Sequence, residues 1–92
     1  MKVSNLKSYN GNYVPNQFKI EKGESIFFQS YDSIIGEVKF GKVYVSSKWD
    51  YSATTTKYLV YFLESVGFPY HSKNDIRNGI SSGDILIKNL TL

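Results

Sequence analysis

The chain has 92 residues, enough for one domain and one small core. It has no cysteine, which excludes disulfides, thiolate metal sites and a cysteine nucleophile. Its net charge of +3 is spread along the chain with a single arginine, so there is no basic block and little capacity for bidentate base reading on DNA.

Eight Tyr, six Phe and one Trp supply the large side chains on which a core of this size depends. The opening residues, MKVSNLKSYNGNY, contain no apolar run of signal-peptide length, and no window approaches the roughly 18 apolar residues of a membrane span. The expectation is a soluble protein of the cytoplasm, one domain over residues 1–92.

Residues 1–15 read as an irregular N-terminal arm or an edge strand, because Asn10-Gly11 signals a turn and Pro15 forbids a helix. From Gln17 the apolar period is two. Phe18 and Ile20 alternate with charged residues, Lys22-Gly23 turns the chain, and Ile26 and Phe28 alternate with Phe27 and Gln29. After a bend at Tyr31-Asp32-Ser33, Ile34, Val38 and Phe40 fall on one face, with Ile35, Glu37 and Lys39 on the other. Gly36 interrupts the first face and marks a candidate bulge. Gly41-Lys42 turns into a short strand, Val43 to Val45.

After Trp49 the period lengthens to about 3.6. Tyr58, Leu59, Phe62, Leu63 and Val66 form one helical stripe, started by Asp50 or Ser52 as N-cap and ended by Gly67 and Pro69. Ser72 with Asp75 gives a second cap, predicting a short helix through Ile80 that Gly83 terminates. Asp84 to Leu90 reads as a last strand. The predicted fold is α+β: a small antiparallel sheet of about four to five strands with one main and one short helix on one face.

Catalytic signals are weak. His71 is the only histidine and follows Pro69-Tyr70 in a loop, where a surface residue is the ordinary reading and a general base the sharper one. No serine lies in a GxSxG context, the acids are scattered, and the glycines are isolated turns rather than a phosphate-binding loop. Neither a metal site nor a cofactor is implied.

Binding signals are stronger. Phe27, Tyr31 and Tyr44, with Lys39, Lys42 and Lys48, fit stacking on unpaired bases beside phosphates. Phe27, Ile35, Tyr44, Tyr61 and Leu86 fall opposite the main apolar stripes, and together they would make a protein-docking patch unless the N-terminal arm covers it. The Thr54-Thr55-Thr56 run reads as helix-start chemistry, and Trp49 as a closure of the sheet's end.

The strings SYDSIIGEV, GKVYV, WDYSATTTKYLVYFL and ISSGDI, between Glu24 and Leu90, resemble an uncharacterised domain family of small proteins from phages, plasmids and Gram-positive bacteria. This chain has Val60 and Tyr61 where that pattern commonly has polar residues, which makes the outer face of the helix more apolar. The resemblance carries no catalytic residue. It implies an accessory protein of a mobile element, non-enzymatic, that binds and blocks a host protein or ribonucleoprotein complex, an anti-CRISPR protein being the sharpest version. A single-stranded nucleic-acid binder is the alternative. The expected contact residues are Tyr44, Trp49, Tyr51, Tyr61 and Tyr70, with Lys42 and Lys48 as rim charges.

Overall fold

The computed structural model describes residues 1–92. Six strands form one sheet in chain order: β1 Lys2–Lys7, β2 Tyr13–Lys22, β3 Ser25–Ser30, β4 Ser33–Lys39, β5 Lys42–Val45 and β6 Ile85–Ile87. The first five pair antiparallel as a meander. β6 pairs parallel to β5, because the chain returns through two helices before rejoining the sheet. Those helices are α1 Ala53–Ser65 and α2 Lys73–Ser82. The α+β class is as expected, but the sheet is larger than expected and mixed. Residues 2–7 form an edge strand of that sheet rather than an irregular arm. The last strand is only three residues long. No helix is long and apolar enough to cross a membrane.

The core lies between the sheet and the helices. Phe28, Val38, Val43, Val45 and Ile85 point up from the strands, and Leu59, Phe62, Leu63 and Ile76 point down from α1 and α2. Phe28 and Phe62 stack at 5.7 Å between ring centroids. Gly36 lets α1 approach: a Cβ there would stand 3.0 Å from the Leu59 Cδ1. The pairing register shifts between Phe28 and Gln29, so Phe28 faces Gly36 while Gln29 faces Ile34. Ile35 is the extra residue of that bulge and turns into the core, fully buried. The expected alternation, with Ile34 inward and Ile35 outward, is therefore inverted at this point. Phe40 also leaves the predicted face. It occupies a hairpin tip at φ 51°, exposed.

On the far side of the sheet, pairing aligns Val3, Ile20, Phe27, Glu37, Tyr44 and Leu86 in one row across all six strands. This is the face left uncovered by helices, yet Phe27 is only 6% exposed. The chain's last residues cover it. Lys88 donates its amide to the Val45 carbonyl at 2.9 Å, Leu90 is buried, and Leu92 lines one open cleft with Val3, Phe18 and Ile20. The N-terminal arm was one alternative for a layer over this face; it is strand β1 instead, and the C-terminal tail lies over the face.

Candidate functional site

The seven residues expected to form a contact surface do not converge. Trp49 is 5% exposed and belongs to the core, so it cannot dock a partner without unfolding the loop around it. That loop is fixed by the Thr56 hydroxyl, which donates to the Trp49 carbonyl at 3.1 Å. Ser52, not Asp50, caps α1, its Oγ accepting from the Thr55 amide at 3.1 Å. Tyr51, in the same loop, is 62% exposed. Lys42 is exposed at the start of β5 and Lys48 in the loop after it. Tyr44 lies half-buried on the tail-covered face, under the Lys88 ammonium at 4.2 Å. Tyr70 stacks loosely on Phe68, with centroids 6.5 Å apart, and burial, then Asp84, pushes its hydroxyl pKa up. Of the seven, Tyr61 alone lines the groove described next.

Between α1, the start of α2 and the β1–β2 loop runs an open groove of about 430 Å³. Its floor comes from Ala53, Val60 and Tyr61, its near wall from Tyr9, and its rim from Lys57, His71 and Lys73. Local sequence places each part. The β1–β2 loop closes through Ser8 N–H to the Asn12 carbonyl at 2.8 Å and Gly11 N–H to Ser8 at 2.9 Å, which carries Tyr9 out over α1. On α1, Lys57, Tyr61 and Glu64 recur at helical spacing along one stripe. Beyond α1 the chain doubles back, and the Ser72 Oγ caps α2 by accepting from the Asp75 amide at 3.1 Å. Asp75 in turn accepts from the His71 amide at 2.9 Å, which holds His71 at the end of α1.

Glu64 ties these segments together. Its Oε1 accepts from the Tyr9 hydroxyl at 2.5 Å and its Oε2 from the His71 Nδ1 at 2.6 Å. The Tyr9 and His71 bonds hold the Glu64 carboxyl below the usual carboxylate range. The same bond to Glu64, aided by desolvation and the carboxylate charge, pushes the Tyr9 hydroxyl up to about 12. Tyr9 packs on Tyr61 with centroids 4.2 Å apart and the rings tilted by 34°, Tyr58 meets Tyr61 edge-on at 5.3 Å, and the Lys57 ammonium lies over Tyr58 and Tyr61 at 5.2 and 5.8 Å.

The lysine–carboxylate pairs of the protein are Lys2–Glu21 and Lys88–Glu37, so Lys57 and Lys73 at the groove have no acidic partner. The nearest carboxylate, Glu64, lies behind Tyr9 and His71 and is hydrogen-bonded to both. The arrangement offers an apolar aromatic floor with free cations at its edge, suited to hold an apolar group flanked by negative charge. No three His, Asp or Glu side chains come together in metal-ligating geometry.

Tyr9, Lys57, Glu64 and Lys73 were absent from the sequence-level contact set. The Asn10-Gly11 turn puts Tyr9 at a loop tip, and the helical spacing of Lys57, Tyr61 and Glu64 is written in the chain. Nothing in the chain joins residue 9 to residue 64.

Residues 1–78 match the model of a family described as Family of unknown function (DUF8033), and the chain belongs to that family. The match covers every residue lining the groove, where the resemblance noted above ran from Glu24 to Leu90; β6 and the tail lie beyond it. No curated protein and no solved structure matches the chain.

Proposed function

We propose that this family member is a mobile-element accessory protein that works by stoichiometric binding, docking on a host protein or ribonucleoprotein complex and blocking it. Inhibition of a CRISPR effector is the sharpest form of this proposal. The observation that carries it is the Tyr9–Tyr61 groove: an aromatic surface left open on the protein's exterior beside two unpaired lysines. Exposed aromatic and cationic side chains of this kind are what binding surfaces are built from. Tyr61 contributes directly to it.

The test is titration of the purified protein into a reconstituted CRISPR effector cleavage assay. Inhibition should saturate near one protein per effector and weaken with Tyr61→Ala. Inhibition at far lower ratios, growing with time, would instead mean turnover and sink the binding mechanism.

Exposed aromatic–lysine pairs support direct binding of single-stranded nucleic acid as a second function. Lys7 lies over Tyr13 at 5.0 Å and Lys39 over Phe40 at 5.7 Å. Gel shifts with labelled DNA and RNA over a salt series decide it, because true phosphate contacts lose affinity steeply as salt rises.

A further inference from the structure

We propose that the Tyr9–Tyr61 groove takes an acidic peptide segment of its partner, with one apolar side chain of that segment seated on the Val60–Tyr61 floor and its carboxylates on Lys57 and Lys73. This rests on the binding function proposed above and specifies the chemistry of the partner.

Three observations carry it. The first is volume. A groove of about 430 Å³ falls within the range of pockets that hold a compact ligand, and here it holds one large side chain with its flanking backbone. The second is charge. The two lysines at the edge have no acidic partner, and the one nearby carboxylate, Glu64, sits behind the wall with both oxygens engaged by Tyr9 and His71, so the open rim is cationic. An occupant with carboxylates next to an apolar anchor is complementary to that pattern, and one with ammonium groups is repelled. The third is the state of the rings. Base stacking needs a free aromatic face. Tyr61 is already in contact with two rings, with Tyr9 tilted against it at 4.2 Å and Tyr58 edge-on at 5.3 Å between centroids. Side-chain insertion beside the rings remains open where base stacking on them is hindered.

The Tyr9–Glu64–His71 bonds give the groove its shape before any partner arrives. They draw the β1–β2 loop, the end of α1 and the segment before α2 together, so little ordering remains to be done on binding.

Three labelled probes separate the outcomes by fluorescence anisotropy and amide chemical-shift mapping: a glutamate-rich peptide with one central leucine, the same peptide with lysine for glutamate, and an oligothymidylate of matching charge. The glutamate peptide should bind saturably and shift the amides of Lys57, Tyr61, His71 and Lys73. The double variant Lys57→Ala/Lys73→Ala, changed at two exposed positions, should weaken it by about ten-fold. Equal or tighter binding of the oligothymidylate in the groove, or glutamate-peptide binding indifferent to the lysine pair, overturns the assignment. Absence of any saturable binding overturns it as well.

The inhibition assay distinguishes this from failure of the broader function. If Tyr61→Ala abolishes inhibition while the lysine pair is dispensable, the groove still docks a partner but not through acidic residues. If neither change matters, both proposals fall.

Discussion

Lys88 and Glu37 meet at 3.1 Å on the face of the sheet opposite the helices, and the same ammonium lies over the Tyr44 ring at 4.2 Å. Glu37 is 5% exposed, with Phe27 and Tyr44 beside it in the cross-strand row. Burial pushes its pKa up, but the Ser25 hydroxyl, at 2.6 Å, and then Lys88 outweigh that, and the carboxyl ends below its ordinary range. Lys88 thus fastens the C-terminal tail to a charge that must be satisfied in place.

Replacing Lys88 by Met should destabilise the fold by about 1–3 kcal/mol at neutral pH, less than for a fully buried pair because Lys88 is half-exposed. The sign with pH follows from the lowered pKa. The stabilisation is present above the ordinary carboxylate range and disappears as pH falls through the pKa of Glu37 in the fold. Urea unfolding of both proteins should therefore show a gap at neutral pH that narrows in acid. Identical midpoints at neutral pH would show that the pair contributes nothing.

Tyr9 should ionise at a pH of about 12 rather than at the ordinary phenol value of about 10. Its folded pKa is raised, so whatever stability the Glu64 bond gives is complete below about 10 and is lost between about 10 and 12. Tyr70 also ionises late, but because of burial and Asp84. Spectrophotometric titration of Glu64→Ala should return one late tyrosine to the ordinary range and leave the other. A titration curve unchanged by the substitution would mean that the bond to Glu64 does not form in solution.

Trp49 and Tyr51 are two residues apart and should behave oppositely. Trp49→Ala empties part of the core and should cost about 3–5 kcal/mol. Tyr51→Ala, at an exposed site, should stay within about 0.5 kcal/mol of the parent. Thermal unfolding of the two variants checks this. A Trp49 variant as stable as the parent would return Trp49 to the surface.

Gly79 lies on the side of α2 that faces β6. A Cβ there would meet the Ile85 Cδ1 at 2.8 Å, its Cγ1 at 3.0 Å and the Tyr70 Cε1 at 3.0 Å. Alanine would otherwise favour the helix by up to about 1 kcal/mol. The crowding should reverse that, giving a net loss of about 1–2 kcal/mol. Circular dichroism melting of Gly79→Ala reads the sign directly, and a raised melting temperature would show that α2 can move away without cost.

The chain's own pattern determined the meander, the two helices and their caps, because periods of two and 3.6 and hydroxyl caps are local properties of neighbouring residues. It did not reveal that Ile35 turns inward, since a bulge depends on which partner residue a strand faces. Nor did it reveal β6 beside β5, or a tail crossing the open face, since both need contacts between distant segments. The candidate site shows the same division. Tyr61 was legible as an apolar residue on the wet side of a helix. Its neighbours Tyr9 and His71 joined it only when folding brought residues 9, 64 and 71 to one carboxylate. Local sequence sets which way each side chain points along its own element. Which elements face one another is decided by the burial of the shared core, and the groove exists only as a consequence of that packing.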